Sequence, residues 1–144
     1  PPGPISTYWQ PGRTSPVIIG IGTDLCEIAR IQSAMQRFGD RFAGKVLVDS
    51  ELARFRTHAK PAAYLAKRFA AKEALSKALG TGIRYPVTWR RMGVINLPSG
   101  RPTFRFEPDL AAYIERRGIR RVHLSITDET GLAGAYVILE GDHE

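Results

Sequence analysis

The stretch RFAAKEALSKALGTG, residues 68–82, decides how this chain is read. At 100° per residue, Ala70, Ala71, Ala74, Leu75, Ala78 and Leu79 fall in one half of a helical wheel. Phe69, Lys72, Glu73, Ser76, Lys77 and Gly80 fall in the other half, and Lys67 and Arg68 interrupt the apolar side near its start. The alanines predict that another backbone approaches closely. The opposite wall offers a carboxylate, two ammoniums, a hydroxyl and an aromatic ring. The plainest account of that wall is a solvated face. Glu73 stands four residues ahead of Lys77, the better orientation for a helical ion pair, which is worth only about 0.3–0.5 kcal/mol. Pro61 suits the first turn of this helix, and Gly80 and Gly82 suit its end.

Upstream, VIIGIGTDL (residues 17–25) is a short apolar run with two glycines and predicts a buried strand. Ile28, Ile31, Met35 and Phe38 keep helical spacing, and Gly39 stops them. Residues 40–48 predict a short helix or turn. Asp49 or Ser50 is expected to cap a helix running to about Arg56. Downstream, MGVINLPSGRPTFRF predicts two strands around a PSG turn. Pro108 opens a helix to about Arg117, closed by Gly118. VHLSIT and LAGAYVILE predict a second strand pair around DETG. The pattern is that of a single α+β domain, a mainly antiparallel sheet packed with helices, one of them long and central.

The 144 residues suffice for one compact domain. Residues 1–16, rich in proline and glycine and without periodicity, are expected to be a flexible extension or an expression remnant, with residues 17–144 forming the domain. No run approaches the roughly 18 apolar residues that a membrane span needs. The single cysteine, Cys26, permits no internal disulfide and suits a reducing, cytoplasmic setting. One cysteine and three scattered histidines give no zinc cluster. The net charge of +7 favours acidic partners: nucleic acid, phosphorylated cofactors or an acidic protein.

Asp24 gives the charged helix wall a second meaning. It is expected at the end of the first strand, after two glycines that let a ligand or backbone come close. Alone it would read as a cap for the following helix. Paired with Glu73, it offers two carboxylates from different elements, with lysines beside one of them. That set suits a hard divalent cation held against a phosphate, since Mg²⁺ takes one or two carboxylates plus phosphate and water oxygens. The lysines would neutralise the remaining phosphate charge. The GxG is not a dinucleotide-binding fingerprint, because its third glycine is missing.

IGIGTDLCEIARI (residues 19–31), KRFAAKEALSKALGTGI (residues 67–83) and the late VHLSIT together resemble the holo-acyl-carrier-protein synthase family of 4′-phosphopantetheinyl transferases. The resemblance spans residues 17–140. It implies transfer of 4′-phosphopantetheine from coenzyme A to a serine of apo-acyl carrier protein, with release of 3′,5′-ADP. It implies Mg²⁺ and a homotrimer with sites at subunit interfaces. By the same resemblance, Asp24 and Glu73 match the metal ligands, and Lys77 the lysine on the coenzyme A phosphates, these three being the catalytic set. Arg68, Phe69, Lys72, Ser76 and Gly80 match the helix block around the coenzyme. His123 matches the histidine facing its nucleotide end, and Gly100 and Pro102 the loop near the adenine. Lys60 is assigned to the coenzyme end. Arg30 matches a basic residue that meets the acidic carrier protein, and Arg37, Arg41 and Lys45 extend a docking strip. Many relatives carry histidine where this chain has Asp128, so that histidine's role does not transfer, and Asp128 is expected to be a solvated turn residue.

The reaction so implied is attack of a serine hydroxyl on the β-phosphate, which needs positioning and charge neutralisation more than covalent help. Either Glu73, through a water, or a hydroxide on the metal is the candidate base. The water-mediated route is preferred, because a metal ligand is a weakened base. Fatty acid synthesis is the expected setting. The alternatives are a small basic nucleic-acid-binding protein, against which stands the spread of the basic residues, and a non-catalytic scaffold. No nucleic-acid or membrane partner is expected.

Overall fold

The computed structural model describes residues 15–143. In chain order the elements are β1 (Ser15–Glu27), α1 (Ile28–Phe38), α2 (Asp40–Val46), α3 (Asp49–Thr57) and α4 (Pro61–Leu79). A 3-10 turn (Trp89–Arg91), β2 (Met92–Asn96), β3 (Pro102–Phe106), α5 (Pro108–Arg116), β4 (Ile119–Glu129) and β5 (Leu132–His143) follow. β1 and β4 both pair antiparallel with β5, giving a three-stranded sheet in the order β1–β5–β4. β2 and β3 form a separate antiparallel hairpin.

The alternation of β1 organises the molecule. Gly20, Gly22 and Asp24 turn toward α4, while Ile21, Thr23 and Leu25 turn to the outer face. A side chain on Gly20 or Gly22 would strike the carbonyl oxygen of Ala78 or Ala74. Two glycines on the strand therefore meet alanines on the helix, and α4 lies directly on the sheet. Ala70, Ala71, Ala74 and Leu75 are fully buried there, beside Ala133, Ala135, Val137 and Leu139 of β5. Gly80, at φ 76°, ends α4 in the left-handed conformation that favours glycine.

The outer face of the sheet is uncovered and apolar. Ile21, Leu25, Tyr136 and Ile138 are 69%, 68%, 52% and 40% exposed. Exposed apolar stripes of this kind mark interaction surfaces.

The α+β architecture with one long central helix is as expected. Several local readings are corrected. Asp24 lies inside β1, paired with Ala135, rather than at the strand's end. It caps nothing: the residue before α1 is Glu27, and no side chain caps that helix. Val48, not Asp49 or Ser50, precedes α3, and its N–H donates to Glu51 Oε1 at 2.9 Å. Ser15 and Pro16 already pair with β5; the expectation for residues 1–14 lies outside the described residues. Asp128 is exposed as expected, but in the β4 ladder opposite Ala133 rather than in the turn.

Candidate active site

β1 and α4 bring Asp24, Glu73 and Lys77 together. Lys77 Nζ lies 3.0 Å from Asp24 Oδ1 and donates to the Thr23 carbonyl oxygen at 3.1 Å. The helical pairing of Glu73 with Lys77 does not form; the lysine crosses to the strand instead. The Asp24 side chain is 15% exposed and that of Lys77 56%, so the carboxylate sits at the floor and the ammonium at the rim. Glu73 is partly buried. Burial, and after it the charge of Asp24, pushes its carboxyl above the usual carboxylate range; Lys77 and the Trp89 indole oppose the rise. The Asp24 charge disfavours the Glu73 anion, and a cation beside Glu73 would offset that.

A cavity of about 300 Å³ opens beside Asp24. Leu25, Cys26, Ile31, Phe42 and Phe69 line it, with Arg30 and Glu27 at its edge. Burial, then the Asp24 charge, pushes the Cys26 thiol up to about 11, so it is a packed apolar group here and not a nucleophile.

The wheel reading of Lys72 and Ser76 is corrected. Lys72 is fully buried, and its ammonium donates to Glu51 Oε1 and the Val46 carbonyl oxygen, each at 2.6 Å, and to the Trp89 carbonyl oxygen at 3.2 Å. All three of its protons are taken, so none is left for a coenzyme. Ser76 is buried and turns its hydroxyl back to the Glu73 carbonyl oxygen at 2.8 Å. Both side chains hold the site from behind.

Arg68 is buried as well. Its guanidinium stacks on the Tyr64 ring at 4.1 Å and reaches Asn96 Oδ1 at 3.4 Å. Its Nε and the Tyr64 hydroxyl have no partner among the described residues. Phe69 packs against Phe42 and Trp89. Lys60 is exposed immediately before α4, and Gly80 is exposed immediately after it. Gly100 and Pro102 belong to the turn and start of the β2–β3 hairpin.

His123 stands elsewhere. It is cross-strand from the exposed Ile138, on the outer face of the sheet, whereas Asp24 and Glu73 are on the helix side. Its Nε2 lies 2.7 Å from Glu140 Oε1, which also accepts from Arg121 Nε at 3.1 Å. Arg30, Arg37, Arg41 and Lys45 are all exposed on α1 and α2. Arg37 stacks on Phe38 at 5.2 Å, and Arg41 and Lys45 share a groove with Phe38 and Phe42. Glu51, Trp89 and Glu140 escaped the sequence reading. A glutamate at the third position of a helix is a recognisable capping signal, but nothing in the sequence announces that Glu51 is buried.

The model of the 4′-phosphopantetheinyl transferase superfamily matches residues 20–135, most of the chain. This chain belongs to that superfamily. Its relatives include a holo-[acyl-carrier-protein] synthase of Nitrosomonas europaea, 53% identical over 124 residues, covering 86% of this chain and 99% of the relative. The crystal structure of the Neisseria meningitidis synthase superposes with a TM-score of 0.83 at 46% identity, covering 85% of this chain and 98% of that one. The Bacillus anthracis synthase, solved in complex with coenzyme A (3′,5′-ADP), superposes with a TM-score of 0.71 at 33% identity, over 86% and 97% of the two chains. The chain is an enzyme of the holo-acyl-carrier-protein synthase type, and the nucleic-acid-binding and scaffold alternatives give way to that assignment. Among the described residues, no helix of this transferase is long and apolar enough to cross a membrane.

Proposed function

We propose that this transferase moves 4′-phosphopantetheine from coenzyme A to a serine of an acidic apo-acyl carrier protein, in the cytoplasm and for fatty acid synthesis, with Mg²⁺. The observation that carries the cation is the convergence of Asp24 and Glu73, with Glu73 destabilised as an anion by burial and by its neighbour. The described residues contain no cluster of three or more metal-ligating side chains. Two carboxylates leave the remaining positions to phosphate and water oxygens, which is how Mg²⁺ is commonly held. When bound, the ion would offset pyrophosphate charge.

The chain's own groups do the rest. Lys77, at the rim, swings from Asp24 to the phosphates and stabilises the leaving 3′,5′-ADP. Glu73, through a water, accepts the proton as the serine oxygen bonds to the β-phosphorus. The bond from that phosphorus to the oxygen of 3′,5′-ADP breaks. Lys60, just before α4, and Arg68, about two turns into it, bind the coenzyme, and the unpartnered Arg68 Nε is a donor for it. Phe69, Gly80 and the Gly100–Pro102 loop flank it. Lys72 and Ser76 act only by holding α4.

His123 supports an oligomer. It and the Asp24–Glu73 pair occupy opposite faces of one sheet, so a single coenzyme meets both only if a second copy supplies one of them. The apolar stripe of Ile21, Leu25, Tyr136 and Ile138 is a surface for that copy, and a homotrimer with shared sites fits it. The decisive experiment is incubation with coenzyme A, Mg²⁺ and apo-carrier protein, read by intact mass. The carrier protein gains one phosphopantetheine. No gain with several carrier proteins and a folded enzyme overturns the reading. Full activity of Glu73→Gln at saturating Mg²⁺ removes both roles of Glu73.

A further inference from the structure

The indole N–H of Trp89 is buried and has no hydrogen-bond partner among the described residues. An unpaired buried donor costs about 1–3 kcal/mol, so a retained one calls for an explanation. Two contacts fix where Trp89 lies. Its carbonyl oxygen accepts from Lys72 Nζ, and its ring is tilted against Phe69 with centroids 5.9 Å apart. Lys72 precedes Glu73 in sequence, and Phe69 lies one helical turn before Glu73 on the same side of α4. The indole therefore runs along the strip of α4 that carries Glu73. Phe69 also lines the cavity that Asp24 opens into.

We propose that Trp89 is a positioning residue for Glu73, its indole N–H donating to one carboxylate oxygen while the other oxygen holds the divalent cation. This rests on the reading of Glu73 as a cation ligand. The chemistry suits the task. An indole N–H only donates, so it fixes the carboxylate without competing for the cation. Hydrogen bonds of this second kind orient metal-binding carboxylates and commonly account for 10–100-fold in affinity. Lys72 and Glu51 anchor the Trp89 backbone from behind, so the ring is held in place before any ligand arrives.

The test uses the full chain carrying Trp9→Phe, which leaves Trp89 as its one tryptophan. Mn²⁺ binding is followed by electron paramagnetic resonance in the presence of 3′,5′-ADP. Trp89→Phe keeps a ring against Phe69 and loses the donor. It is expected to weaken Mn²⁺ binding on the order of 10-fold while leaving metal-free 3′,5′-ADP binding unchanged. In the Trp9→Phe parent, the indole N–H resonance of Trp89 is expected to shift downfield on addition of Mg²⁺ and 3′,5′-ADP. This second measurement does not depend on any variant at Trp89 folding. Parental Mn²⁺ affinity in Trp89→Phe, or an indole resonance that does not move, overturns the proposal. Glu73→Gln separates the two readings. If it loses Mn²⁺ while Trp89→Phe keeps it, only the positioning role fails; if it too binds Mn²⁺ at parental affinity, the cation-ligand reading falls and this proposal with it.

Discussion

Glu51 of α3 and Lys72 of α4 meet in the interior at 2.6 Å, with neither side chain more than 2% exposed. Glu51 also accepts the N–H groups of Val48 and Val94, and Lys72 donates to the carbonyl oxygens of Val46 and Trp89. One ion pair thus ties the end of α2, the start of α3, the 3-10 turn and β2 to the central helix. Burial pulls the Lys72 ammonium below the usual lysine range, and the Glu51 charge opposes this. Removing one partner of such a pair strands the other. Lys72→Met is expected to cost about 3–5 kcal/mol in urea unfolding. Replacing both residues by apolar ones will not recover all of that, because the Val48 and Val94 N–H groups remain unpaired.

The opposed faces of His123 and Glu73 lead to a complementation experiment. Glu73→Gln and His123→Ala are each expected to be poorly active alone. Refolded together, they should regain activity, because mixed oligomers contain some sites with neither lesion. His123→Ala should raise KM for coenzyme A more than for dephospho-coenzyme A; equal effects remove the phosphate contact. If the proposed homotrimer forms through the apolar stripe, Ile21→Lys should dissociate it in sedimentation and abolish activity in step. A monomer with full activity contradicts shared sites.

Cys26 supplies a test of packing. A thiol pushed from 9.0 to about 11 carries on the order of 100-fold less thiolate at pH 8 than an unperturbed one. Alkylation of the native protein should be slowed by at least that factor and should reach one equivalent per chain after unfolding. Because the shift is upward, the native thiol gains reactivity only as pH approaches 11.

The exposed cations of α1 and α2 are proposed as the docking strip for the carrier protein. Arg37→Glu and Arg41→Glu are expected to lower kcat/KM for carrier protein several-fold with little change in KM for coenzyme A. In the parent, kcat/KM for carrier protein should fall as salt rises. Indifference to ionic strength would count against this strip.

The elements were largely legible because their signals are local. Pro61 and Gly80 bound α4, and Thr130 and Gly131 make the turn between β4 and β5. Asp24 and Glu73 were legible as a pair because two motifs carry them. Lys72 and Ser76 were misplaced for a physical reason. A wheel sorts residues by polarity, but twelve of the nineteen residues of α4 are buried, so even its polar side packs against protein. Lys72 is tolerated there because Glu51, twenty-one residues earlier, meets it. Whether a buried charge has a partner is a tertiary fact, and no local pattern contains it.

Gly22 lies two residues before Asp24 and touches the helix at Ala74, the neighbour of Glu73. The separation of the two carboxylates is therefore gauged by an atom that is missing. Gly22→Ala would insert one methyl where the Ala74 carbonyl oxygen already stands, and helix and strand would part like a wedged hinge. If Asp24 and Glu73 hold the proposed cation, the size of ion they can grasp is written at a position that bears no functional group at all.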